Sequence, residues 1–205
     1  MRNRSVVHRT LPAVVLALTA TSGPARAQSR AEVGFLLGSS RTTNEGAVLE
    51  FDRGATYQAT FACRLWRVAA VDVSVEVPFI ATPAFSVKAA DRSLPLELDT
   101  LYLTPGLRFT GIVSQSVFLF GAIGGGYARY SESVLKADRS PNPNQRDTNT
   151  GALQFGGGVD VQGGGWLGVR GEIRDVYTGA RNFSLATPGS RVHNVVASVG
   201  LVAHF

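Results

Sequence analysis

Ten charged residues lie inside stretches whose other positions are apolar or small: Glu32, Arg64, Asp72, Glu76, Arg108, Arg129, Asp160, Arg170, Glu172 and Arg174. Five are acids and five are arginines, and each falls on the face opposite the apolar residues of its stretch. That pattern points to mutual neutralisation in a confined space, because guanidinium and carboxylate groups satisfy one another by paired, charge-assisted hydrogen bonds. It is not a proton-transfer pattern. The one combination with hydrolytic chemistry is His193 with Ser190, a base near a nucleophile. An activated serine also needs an orienting group and an oxyanion donor, and the sequence identifies neither, so no catalytic residue is assigned. Cys63 is the only cysteine, and His193 and His204 stand apart from it and from each other. No metal-ligand spacing results, and no cofactor is implied.

The elements that must hold these charges read as strands. Val71–Ala81 (VDVSVEVPFIA) is the plainest, with Val71, Val73, Val75, Val77 and Phe79 opposed to Asp72, Ser74 and Glu76. Side chains alternate across a strand with period two, so one face is greasy and the other ionic. The same alternation marks 32–39, 55–67, 99–110, 116–130, 152–162, 166–177 and 192–205. In 116–130 it sets Phe118, Phe120 and Ala122 on the apolar face, against Gly121, Tyr127 and Arg129. In the last stretch Val195, Ala197, Val199, Leu201, Ala203 and Phe205 share a face. A terminal strand so apolar has a reason in a closed barrel, where first and last strands pair and no edge is left.

Connections alternate in length. Those near 67–70, 111–115 and 163–165 are short, whereas those near 40–53, 82–98, 131–150 and 178–191 are long and polar. Sorting of connections by side is what outer-membrane barrels show. Trp66 and Trp166 lie beside short turns, and Tyr57, Tyr130 and Tyr177 at the opposite ends of their strands, which predicts two aromatic girdles. The expectation is an all-β fold, an eight-stranded antiparallel up-and-down transmembrane β-barrel. In so narrow a barrel side chains fill the interior, so the ten charges predict a closed or nearly closed lumen. Glycines at 121, 124–126 and 156–158 leave room for arginines opposite. Pro78 and Pro105 interrupt adjacent strands and predict a bulge or weakened pairing.

The N-terminus supplies an address. Arg2, Arg4, His8 and Arg9 precede the apolar run 11–20, and Ala25-Arg26-Ala27 is a small-x-small cleavage pattern. Residues 1–27 read as a secretory signal peptide and 28–205 as the barrel domain. Without 1–27 the lysines and arginines fall from 20 to 16 against 15 acids, so the excess of +5 drops to +1. Nothing then argues for nucleic acid. No run approaches the roughly 20 apolar residues of a membrane helix.

On these features the chain resembles the small eight-stranded outer-membrane barrels of the OmpA transmembrane domain and OmpX type. Ser198, Gly200 and Phe205 match the ending read by the barrel assembly machinery, while Ala203 stands where an aromatic is usual. The resemblance implies passage with periplasmic chaperones, insertion by that machinery into the bacterial outer membrane, and contact with lipid and lipopolysaccharide. No peptidoglycan-binding domain is expected after the barrel. The function so implied is envelope structure or surface interaction, non-enzymatic, with an extracellular ligand met through the long loops. Loop charges are dispersed: Lys88 and Arg92 near Asp91; Lys136, Arg139 and Arg146 near Asp138 and Asp147. A small-solute pore is the alternative, and a lipid A-modifying hydrolase using His193 and Ser190 a further one.

Overall fold

The computed structural model describes residues 30–44, 50–51, 54–88, 97–136, 139–143, 145, 147–163, 165–179 and 192–205. The signal-peptide assignment, Ser190, Asp91, Arg92, Asp138 and Arg146 lie outside them. The segments are β1 (Ala31–Asn44), β2 (Glu50–Phe51), β3 (Gly54–Val68), β4 (Val71–Lys88), β5 (Glu97–Leu103), β6 (Gly106–Ile112), β7 (Val117–Glu132), β8 (Asp147–Gln162), β9 (Leu167–Thr178) and β10 (Val192–His204). β2 pairs only with the outer end of β4. β5 and β6 are two halves of one ribbon separated by Thr104 and Pro105, so the wall is an eight-stranded antiparallel, up-and-down barrel.

The barrel closes between β1 and β10 over an unbroken register from Glu32–His204 to Asn44–Val192. Phe205 donates its backbone N–H to the Ala31 carbonyl at 2.8 Å and accepts from the Ala31 N–H at 3.3 Å. Strand closeness here depends on two glycines, Gly38, where a Cβ would stand 2.2 Å from the Ala197 carbonyl oxygen, and Gly200. A Cβ on Gly200 would stand 2.1 Å from the Phe35 carbonyl oxygen, so any side chain would part β10 from β1.

The prolines act together. β4 pairs with β6 up to Glu76–Gly106 and resumes with β5 at Phe79–Leu103. Between them Pro78 and Pro105 each lack a donor, and the gap is bridged by one bond, Thr104 N–H to the Pro78 carbonyl at 3.4 Å. The weakened pairing therefore falls on one seam. On its other side β4 runs through Pro78 without interruption, opposite Thr60 of β3.

Four ribbons run further outward than their apolar alternation indicates. β1 reaches Asn44, β4 reaches Lys88, β7 reaches Glu132 and β8 begins at Asp147. A membrane strand needs about 9–11 residues, and β4, β7 and β8 have 18, 16 and 16. The excess continues the ladder beyond lipid, where polar side chains carry no penalty. Part of the polar stretch 131–150 is itself folded. Leu135 bridges Pro141, Asn142 donates to the Ser133 carbonyl at 3.2 Å, and Gln145 to the Glu132 carbonyl at 2.7 Å.

Candidate functional site

The lumen is filled in two layers. Nearer the short turns lies an ionic layer of Glu32, Glu76, Arg108, Asp160, Arg170, Glu172 and Arg174, all buried. Arg170 grips Asp160 with two bonds, 2.6 and 2.7 Å, and reaches Glu32 at 2.8 Å. Arg174 does the same for Glu76, at 2.7 and 3.2 Å, while also bonding Glu172. Arg108 donates to Glu32. Gln58 donates to Glu172 and accepts from Ser198 at 3.1 Å. His204 closes the bottom, with Nδ1 3.8 Å from Glu32.

Above this layer the lumen is mixed, apolar side chains lying among buried Ser40, Thr56, Thr82, Thr100, Thr178 and Asn194. Ile80, Leu98, Tyr102, Ala128, Tyr130, Ala152, Val176 and Val196 form one buried cluster. Tyr102 meets Tyr130 edge-on at 6.1 Å, and the Tyr130 hydroxyl bonds Thr178 at 2.9 Å. Two unlike layers thus fill one narrow barrel.

Seven of the ten sequence-marked charges meet in the ionic layer. Arg64 and Asp72 stand lower, at the periplasmic mouth, where Asp72 is held by Arg67 at 2.5 and 2.7 Å and Arg64 lies 3.5 Å from it. Arg129 is placed differently from the expectation: it points outward at the far end of β7 and pairs with Asp147 at 2.7 Å. The whole of β7 is inverted relative to the alternation. Leu119 and Ile123 face lipid, whereas Phe120, Ala122 and Tyr130 face inward. The reason lies in the glycines. A Cβ on Gly158 would come 2.8 Å from the Phe120 ring, so glycine there admits that ring to the lumen. The ring then lies 4.7 Å beneath the Arg170 guanidinium and 5.4 Å from that of Arg108, within cation–π range. Gly156 does likewise for Arg174, whose Cγ would be 2.9 Å from an added Cβ. The buried layer therefore holds four acids and three arginines rather than equal numbers.

Tyr130 is consequently a lumen residue, not a girdle residue. Trp66, Trp166 and Tyr57 are exposed on the outer wall, with Tyr127 opposite Gly151 of β8. Tyr177 lies at the outer rim against His193, ring centres 4.8 Å apart. Of the assembly residues, Ser198 is buried in the lumen network, Gly200 sits at the closing ladder and Phe205 faces outward.

The outer wall carries Phe35, Leu37, Phe61, Phe79, Ile123, Leu153, Ile173, Val199 and Leu201, all exposed. A wall apolar without and ionic within is built for lipid, the reverse of a soluble sheet. Solved structures share the architecture. Superposition on Neisserial surface protein A gives a TM-score of 0.60 at 11% identity, over 85% of this chain and 97% of that one. By fold the chain is a small outer-membrane barrel. The barrel also superposes on Ail, the attachment invasion locus protein of Yersinia pestis (TM-score 0.51, 12% identity, 85% and 98% covered). The N-terminal barrel domain of Pseudomonas aeruginosa OprF gives TM-score 0.51 at 10% identity, covering 87% and 100%. No protein-family model and no curated protein matches the chain. Fold and outer wall together place the barrel in the bacterial outer membrane.

One site residue, Asp175, has no counterpart in the sequence reading. His193 faces outward, as its position in β10 dictates, and its Nδ1 lies 2.7 Å from Asp175 of β9. The partner becomes visible only once the β9–β10 register, Tyr177 opposite His193 and Asp175 opposite Val195, is known.

Proposed function

We propose that this barrel is a non-enzymatic envelope protein whose scaffold carries surface-interaction elements outward, with a lumen closed to solutes. The observation that carries the reading is a lumen filled by buried side chains at two levels, an ion-paired layer and a mixed cluster above it. A pore needs a continuous water path; a cavity of about 200 Å³ at the periplasmic mouth reaches Glu32, Arg108 and Asp160, and buried side chains fill the lumen above it. The outward extensions of β7 and β8, capped by a folded tip with Val134 exposed, support an interaction role. Two of the proteins sharing the fold are named for a surface and an attachment role.

The test displays the chain on cells beside a form in which 134–141 is replaced by a two-residue Asn-Gly turn, and screens both on glycan arrays and extracellular-matrix proteins. The expected outcome is one binding activity lost with the tip while heat-modifiable gel mobility stays intact. Equal binding by both forms excludes the tip as the interaction element.

A second reading, a lipid A-modifying hydrolase, is favoured by one observation: Asp175 supplies the orienting group that a histidine base requires. It predicts loss of an acyl chain from lipid A in cells making the protein, abolished by His193→Ala and by Ser190→Ala. Unaltered lipid A mass spectra in cells carrying the folded protein exclude it.

A further inference from the structure

We propose that the cavity at the periplasmic mouth binds one small oxyanion from the periplasm, a free phosphate or a phosphate monoester, among Arg30, Arg64, Arg67 and Arg108. The inference does not involve the extracellular tip.

The site is built by register. Arg64, Ser74 and Arg108 form one inward row across β3, β4 and β6, and Arg67, Asp72 and Thr110 form the next row toward the short turns. Two interstrand steps of about 4.8 Å put the Arg64 and Arg108 backbones roughly 10 Å apart. Ser74 between them is small, so the space that a longer side chain would fill stays open. A bulge brings in a further cation. The β3–β4 register shifts between Arg64 and Trp66, and one extra residue reverses the alternation beyond it. Strict alternation from Arg64 would turn Trp66 into the lumen and Arg67 toward lipid. The shift instead leaves Trp66 on the outer wall and sets Arg67 beside Asp72. Arg30 completes the mouth, its carbonyl accepting the Arg64 N–H at 2.7 Å.

These residues border a cavity of about 200 Å³. At roughly 30 Å³ per water that is room for a tetrahedral anion with part of its hydration shell. The charges favour an anion. On the inner wall Glu32 and Asp160 are already held, Glu32 by Arg108 and Arg170 and Asp160 by Arg170. Nearer the turns Asp72 meets Arg67 through two bonds and lies 3.5 Å from Arg64. Arg30 is exposed and has no ion-pair partner among the described residues. Arg108 is buried, yet its hydrogen bonding is confined to Nη1 and Glu32, and Nη2 makes no hydrogen bond among the described residues. Guanidinium groups from the segment before β1, from β3 and from β6 thus border one space. An oxyanion offers several acceptor oxygens to such planar donors, whereas a halide would use their charge and leave their geometry unmatched. With the lumen filled above the cavity, the anion is held and not passed.

The isotope-labelled, folded barrel is titrated in zwitterionic micelles at low ionic strength with inorganic phosphate and followed by NMR. A saturable, single-site shift is expected at the amides of Arg30, Ala62, Arg64 and Thr110, with the outer ends of β7 and β8 unmoved. Arg30→Gln, outside the strand ladder, should weaken the site severalfold, and Arg30→Gln with Arg64→Gln by about tenfold or more, since hydrogen bonds to charged groups are the stronger kind. Asp72→Asn, which removes the carboxylate competing for Arg67 and Arg64, should tighten it by about threefold or more. A residue that only maintained the fold would not act in that direction. Heat-modifiable mobility checks that each variant is folded. The proposal is overturned if phosphate gives no saturable shift, if Arg30→Gln and the double variant bind as the parent does, or if Asp72→Asn weakens binding. It is also overturned if phosphatidylglycerol in the micelle moves the same amides and free phosphate does not, which would make the ligand a lipid headgroup. Replacing the tip at 134–141 should leave the phosphate shifts unchanged, so this proposal and the surface-interaction reading fail separately.

Discussion

Arg170 shows how one side chain serves the ionic layer from three directions. Its guanidinium holds Asp160 by two bonds, reaches Glu32, and lies over the Phe120 ring. Desolvating a guanidinium costs several kcal/mol, which its carboxylate partners offset, although Nη1 is left with only a 3.9 Å ion pair to Glu76. Removing one partner strands the rest. Arg170→Met should therefore destabilise the barrel by about 3–5 kcal/mol, read as a lower urea midpoint for unfolding from lipid vesicles. Arg129→Met, which breaks an exposed pair at the outer rim, should leave the midpoint where it is. Equal effects would mean that the layer is hydrated. The inward set was legible where alternation was clean, as in β4 and β9. It was not legible in β7, where Phe120, Ala122 and Ile123 are apolar on both faces and period two carries no sign. There the decision rests with Gly156 and Gly158 on the neighbouring strand, whose missing side chains admit Phe120 and Arg174.

At the scale of the element, the two prolines matter as a pair. Either alone would cost one ladder bond. Set across from each other between β4 and the β5–β6 ribbon, they concentrate the loss in one gap, spanned by a single 3.4 Å bond from Thr104. The Thr104 amide should exchange with deuterium faster than the amides of Tyr102 and Leu107 on either side, measured in micelles by NMR or peptide-level mass spectrometry. Exchange as slow as its neighbours' would mean that the seam is closed by something other than backbone pairing. The weakness was readable from Pro78 and Pro105 alone, since proline carries no donor in any fold. Its confinement to one seam was not, because that depends on register. The same limit concealed Asp175: its pairing with His193 follows from the stagger of β9 on β10, a relation between strands that no single strand encodes. Strand ends were underestimated for a different reason. Alternation disappears once a ribbon leaves lipid, although its backbone ladder does not.

The molecule as a whole is a barrel filled at two levels, and the closed-lumen reading predicts how it should conduct. Below, Glu32, Glu76, Arg108, Asp160, Arg170, Glu172 and Arg174 are polar and exchangeable with water if their pairing is disturbed. Above, Ile80, Leu98, Tyr102, Tyr130, Val176 and Val196 pack among Ser40, Thr56, Thr82, Thr178 and Asn194, whose polar groups bond one another. Thinning the ionic layer alone would hydrate the lower half and leave the upper half filled. Planar-bilayer recordings should thus show no steady openings for the parent barrel and none for Arg170→Ala. Openings should appear only when the upper layer is also thinned, as in Arg170→Ala with Tyr102→Ala and Tyr130→Ala, provided heat-modifiable mobility confirms that the variant folds. Steady conductance from the parent, or from Arg170→Ala alone, would show that the upper layer does not seal. It would favour the small-solute pore over the closed lumen.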